Sequence, residues 1–270
     1  MDVTDVRADL LAEQEALDAV VADLDAEAMA TPTPSPGWTV ADQLAHLTYF
    51  DSTAVLAIRD PEAFATALGD LLTAAADGDA GVDRFTLSAW RDLSPDELRA
   101  AWRANRAALA EASATLADGD RVPWYGPDMS SKSFLTARLM EVWAHGQDIV
   151  DAVGAERPAT DRLVHIARLG YLTRGWSYLN RGLEAPEGDV VVELTAPSGA
   201  TWTYGDPERA DGNRVTGPAE DFCLVTTQRR HVDDTALEVT GDAAVDWMVR
   251  AQAFAGPATD GPKPRTGGAA

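Results

Sequence analysis

A helical bundle followed by a small α+β domain is the fold class this sequence predicts, and three observations predict it. Apolar residues recur at helical spacing through most of residues 3–152. From residue 188 onward the period shortens to two around a turn signal, as in GDVVVELTAPSGATWTYGD. Between these regions lies a last helical stretch, 159–184, bounded by Pro158 and Pro186. At 270 residues the chain is long for one helical domain and sufficient for two, each burying a core. The expected division is 1–156 for a four-helix bundle, 160–257 for the α+β domain, and 258–270 for a Pro- and Gly-rich tail expected to be disordered.

Residues 3–28 place Val6, Leu10, Leu17, Val21 and Leu24 on one face, which predicts a long first helix. TPTPSPGW follows, and a proline at every second position cannot continue a helix, so residues 31–38 form an extended connection. Thr39, with Asp42 three residues on, has the form of a capping box and starts a second helix bearing Val40, Leu44, Leu47 and His46. DPEAFATALGDLLTAAADG predicts a shorter helix and then a mobile loop. Ser94-Pro95-Asp96-Glu97 opens another long helix that stops at Asp118-Gly119. RVPWYGPDMSSKS is turn-rich and predicts a loop leading into a final bundle helix that ends near Gly154. Beyond the 159–184 helix the expectation is a β-hairpin around Pro197-Ser198-Gly199, a helix over 218–230, a strand at TALEVTG and a closing helix at DAAVDWMVRAQAFAG.

The formal net charge of -22 argues against nucleic acid and against anionic membrane surfaces. No apolar run is long enough to cross a bilayer, and no signal sequence opens the chain, so a cytoplasmic protein is expected. A single cysteine, Cys223, excludes an intrachain disulfide and a Cys-based zinc site; its apolar neighbours predict a buried, inert thiol. Any transition metal must therefore be held by His, Asp and Glu.

One stretch offers such residues. In SKSFLTARLMEVWAHGQDIVDA, Arg138, Glu141, His145 and Asp148 fall at offsets 0, 3, 7 and 10 and share one helical stripe. Buried ionisable groups are expensive unless paired or bound to a metal. Glu141 and His145, four apart, can offer a carboxylate oxygen and a ring nitrogen to one ion, although such a pair also occurs on solvated helix surfaces. In a four-helix bundle His46 from a facing helix would complete a three-residue site. Trp38, Trp143, His165 and His231 are expected to be structural.

PGWTVADQLAHL, the later EVWAHGQDIVDA and the ending GDAAVDWMVRAQAFAG together resemble the mycothiol-dependent maleylpyruvate isomerase family, in its actinobacterial branch. The resemblance implies a DinB-like metal-binding bundle joined to a sterol-carrier-like α+β domain. It implies a divalent metal, usually zinc, on His46, Glu141 and His145, with a position left open for catalysis. It also implies mycothiol as cosubstrate, its thiolate adding to an electrophilic carbon of a small molecule. On that reading Asp148 would orient His145 or act near the open side as a catalytic group. Arg138, Arg229 and Arg230 would bind the substrate, Arg138 by gripping a carboxylate or else by pairing with Glu141 or across domains. Compared with the family pattern, this chain carries a longer segment between its second and fourth helices, DPEAFATALGDLLTAAADGDAGVDRF. Two other functions are open at this point: a zinc hydrolase with Asp148 as base, and a metal-binding module without chemistry. A monomer or homodimer is expected.

Overall fold

The computed structural model describes residues 2–265, which divide after Arg157 into two compact units. In the first unit, α1 (Val3–Val21) begins at a capping box made by Asp2 and Asp5. The helix expected to run to residue 28 breaks here. The Asp25 side chain accepts the Ala28 N–H and starts a separate turn, α2 (Ala26–Met29), so a local side-chain bond replaces helical continuation. The proline-rich connection is extended, with Pro32 bridged to Thr39. Thr39 and Asp42 form the expected box at the start of α3 (Val40–Arg59).

Asp60 ends α3 and caps α4 (Pro61–Ala74), with Pro61 in its first turn. Where a mobile loop was expected, a further helix follows, α5 (Asp79–Arg91). It starts at Gly78 with φ +70° and no side-chain cap, which is why no start signal marks it. Ser94 and Glu97 cap α6 (Pro95–Ser113). The expected loop at 121–130 is instead an antiparallel hairpin of β1 (Arg121–Trp124) and β2 (Gly126–Ser130), irregular between Val122 and Trp124. α7 (Ser131–Val153) ends on Gly154 in the left-handed conformation, as its C-terminal glycine predicted.

Helices α1, α3, α6 and α7 pack as the four-helix bundle, α3 against both α6 and α7, and α1 against α7. Leu10, Leu17, Leu44, Leu47, Trp102, Leu109, Phe134 and Leu135 fill its core. Part of the acidic charge is drawn into pairs: Asp18 on α1 takes Arg103 Nε at 2.8 Å and Arg106 Nη2 at 2.6 Å from α6.

In the second unit the 159–184 helix is two shorter ones, α8 (Leu163–Leu172) and α9 (Arg174–Leu179), because the chain leaves helical geometry at Thr173. The predicted hairpin forms as β3 (Val191–Thr195) and β4 (Thr201–Tyr204). An unforeseen strand, β5 (Arg214–Pro218), runs parallel to β3, and β6 (Glu238–Thr240) completes a sheet of order β4-β3-β5-β6. α10 (Ala219–Thr226) packs on α8, and Gly170 permits this, since a Cβ there would lie 2.8 Å from Thr226 Oγ1. α11 (Asp242–Met248) is half the length expected. Residues 258–265 hold no helix or strand; Thr259 bonds to Gln252 and Gln228, and Asp234 accepts the Arg265 N–H. The rest of the expected disordered tail, 266–270, lies outside the described residues. Among the described residues no helix is long and apolar enough to cross a membrane.

Cys223 sits in the core of this unit, 0% exposed, with its Sγ 3.7 Å from the Leu163 carbonyl. Burial pushes its thiol well above the ordinary range, with Glu220 adding to the effect. Iodoacetamide at pH 8 is therefore expected to leave the native protein unlabelled and to alkylate it fully after denaturation. Mass spectrometry reads both states, and rapid native labelling would contradict this burial.

Candidate metal centre

Three side chains from two helices converge inside the bundle. His46 comes from α3, one turn past the capping box, and Glu141 and His145 come from one face of α7. Glu141 Oε2 lies 3.2 Å from His46 Nε2 and 3.2 Å from His145 Nε2, and one ligand atom from each residue lies within 4.8 Å of the others. Two donors each about 2.0–2.1 Å from one ion at a tetrahedral angle stand roughly 3.3 Å apart, so these separations suit a small divalent cation. Two imidazole nitrogens and a carboxylate oxygen are also a donor set that zinc favours, and three protein ligands leave room for a fourth partner.

The surroundings keep those atoms available. Burial lowers the His46 pKa to about 4, helped by neighbouring His145 and Arg138, so the ring is neutral with a lone pair to give. Burial pushes Glu141 up, but its bonds to His145 and His46 outweigh this and hold the carboxyl well below the usual range. His145 Nδ1 lies 2.6 Å from Gln43 Oε1, and Gln43 Nε2 donates to Thr33 Oγ1 at 2.9 Å. A carbonyl at Nδ1 selects the tautomer protonated there and leaves Nε2 free for an ion. Gln43 is fully buried, and its amide ties His145 to the proline-rich connection.

The carbonyl at His145 Nδ1 is that of Gln43, and Asp148 makes a separate contact. It is 3% exposed, accepts from Ser35 Oγ at 3.2 Å, and lies outside the group of residues able to share an ion. Arg138 takes a partner that the sequence did not suggest. It is 1% exposed and donates from Nη2 to Asp51 Oδ1 on α3 at 2.9 Å, neither pairing with Glu141 nor facing solvent. Gln14 of α1 reaches the second Asp51 oxygen at 3.4 Å, and burial raises the Asp51 pKa against the pull of Arg138. The pair thus pins α3 to α7 one turn from the ligands. Arg229 and Arg230 lie in the second unit on the turn that ends α10, where both backbone N–H groups donate to the Leu224 carbonyl. Their side chains donate to the carbonyls of Thr227 and Arg229.

Trp143 packs as expected, with the Arg157 guanidinium 5.5 Å over its ring. Trp38 packs beside the candidate ligands: its ring lies 5.2 Å from that of His46 and 6.0 Å from that of His145, and its Nε1 donates to Asp83 of α5. Gln43, Asp51 and Phe50 were not singled out by the sequence. A glutamine and an aspartate on the buried face of α3 were the available signal.

A four-helix bundle carrying a His, Glu, His group, joined to a small α+β unit, is the class of protein that fold and site define. The model of the mycothiol maleylpyruvate isomerase N-terminal domain matches residues 10–150 of this sequence. The chain belongs to that family. Uncharacterised proteins from two strains of Mycobacterium tuberculosis are 46% identical to it over 250 residues, spanning 93% of this chain and 95% of theirs. Crystal structures of the mycothiol-dependent maleylpyruvate isomerase and of a point mutant of it share the fold, at TM-scores of 0.55 and 0.56 and 19% identity. They cover 85% and 86% of this chain, and 90% and 91% of their own.

Proposed function

We propose that this protein is a divalent-metal-dependent enzyme, with zinc as the ion, that uses a low-molecular-weight thiol such as mycothiol against a small electrophile. The observation that carries the reading is the His46, Glu141, His145 group, with ligand separations of 3.2 Å about its carboxylate. A zinc ion held there would lower the pKa of a bound thiol and supply a thiolate near neutral pH. The chain has no thiol of its own for this work, since its one cysteine is sealed in the other unit's core.

The chain's own residues set the conditions. As ligands to an ion, two imidazoles and a carboxylate would carry one negative charge in total, so a divalent ion and one thiolate together would neutralise the centre. Gln43 fixes the His145 ring, and the Arg138–Asp51 pair fixes the spacing of the two helices. In the reaction the thiolate sulfur forms a bond to an electrophilic carbon. If a double bond accepts the electron pair, rotation and expulsion of the same thiolate give the isomer with the thiol regenerated. If a leaving group departs with the pair, the product is a thioether. The family favours the first course. Both are cytoplasmic chemistry with a small molecule and a thiol as partners.

The test is replacement of the ion by cobalt followed by titration with mycothiol. A sulfur-to-cobalt charge-transfer absorption is expected to rise and saturate at one thiol per site. Cobalt bound with a spectrum indifferent to mycothiol would overturn the proposal.

A further inference from the structure

The rings around the metal ligands specify more than packing. Phe50, one turn after His46, has its ring centroid 4.5 Å from that imidazole, and Trp38 lies nearly parallel to His145, tilted by 20°. Tyr49 meets Phe50 edge-on at 5.0 Å, Tyr125 meets it at 5.3 Å, and Phe85 of α5 meets Tyr49 at 6.0 Å. None of these five is buried, and Phe85 is 36% exposed, whereas Phe64, Trp102 and Phe134 of the same unit are 1%, 0% and 0% exposed. Rings that served only the core would be sealed as those three are. Rings left partly open beside a ligand set offer a surface on which a flat molecule stacks.

Charge points the same way. Arg138, one turn before Glu141, is committed to Asp51. Of the two cations of α5, Arg84 is committed to Asp77 at 2.8 Å, and Arg91 to Asp42, one turn before His46, at 2.7 Å. The α5 group that bonds to Trp38 is an acid, Asp83. A small dicarboxylate needs paired cationic donors, and these arginines already have their carboxylates.

We infer that the electrophile this site takes is uncharged and planar, an aromatic or conjugated molecule stacked on the rings of Trp38, Phe50, Tyr49 and Phe85. The inference rests on the thiol-transfer reading above and names its substrate class.

The test is calorimetric titration of the zinc-loaded full-length protein with two unreactive probes: naphthalenemethanol, neutral and flat, and maleate, a small dianion. Naphthalenemethanol is expected to bind at least ten times more tightly. Phe50→Leu and Phe85→Ser are each expected to weaken it about two- to tenfold, the range of one aromatic contact, with zinc content unchanged. Phe85 is a surface residue, so its variant reports binding rather than folding. Maleate binding as tight as the neutral probe, or probe binding that neither variant weakens, would overturn the inference. A negative cobalt and mycothiol titration alongside ring-dependent probe binding would remove the thiol chemistry and leave the stacking surface standing.

Discussion

Asp51→Ala is expected to destabilise the first unit by about 3–5 kcal/mol, because it strands the Arg138 guanidinium in a site 1% exposed to solvent. Arg138→Met, which strands the carboxylate instead, is expected to fall in the same range. The double variant Asp51→Leu with Arg138→Met is expected to recover most of the loss, since removing both charges of a buried pair is often neutral. Denaturant unfolding of the three variants measures this. Burial raises the Asp51 pKa against the pull of Arg138, so desolvation is the dominant influence on this carboxyl. A double variant no more stable than the singles would show that the pair stabilises the bundle outright.

The second large effect concerns the ion. His46→Ala and His145→Ala each remove one of three donors and are expected to abolish stoichiometric zinc in the purified protein, read by elemental analysis. The second unit, which holds none of the ligands, is expected to keep its fold in both, read by amide exchange over β3 and β5. Gln43→Leu is the graded case. It preserves every ligand but frees the His145 ring, and outer-shell changes of this kind weaken metal binding about 10–100-fold. Full zinc content in both histidine variants would remove the metal centre from the account.

The sequence located the three convergent side chains better than what supports them. Glu141 and His145 were legible because their spacing survives any error in helix boundaries, and His46 because Thr39 and Asp42 fix the start of its helix. The Arg138 partner was not legible: Asp51 lies 87 positions earlier, and only tertiary packing brings the two together. α5 was hidden by its uncapped start at Gly78, and the β1–β2 hairpin by prolines in both strands. β5 escaped notice because Val215 is its one buried residue, so RVTGP shows no alternation although it lies between two other strands. α11 was overextended because its apolar spacing continues past residue 248, while the helical backbone does not.

The placement of Trp38 and Phe85 has a further consequence. The candidate ligands stand on α3 and α7, locked by an ion pair in the core, whereas these two rings come from a proline-rich connection and from a helix inserted between bundle members. On the function and the stacking surface proposed above, reactivity and recognition would be written on separate parts of the chain. A lineage could then exchange one molecule for another by rewriting a short peripheral stretch, and the proposed sulfur-activating centre would pass through that change untouched.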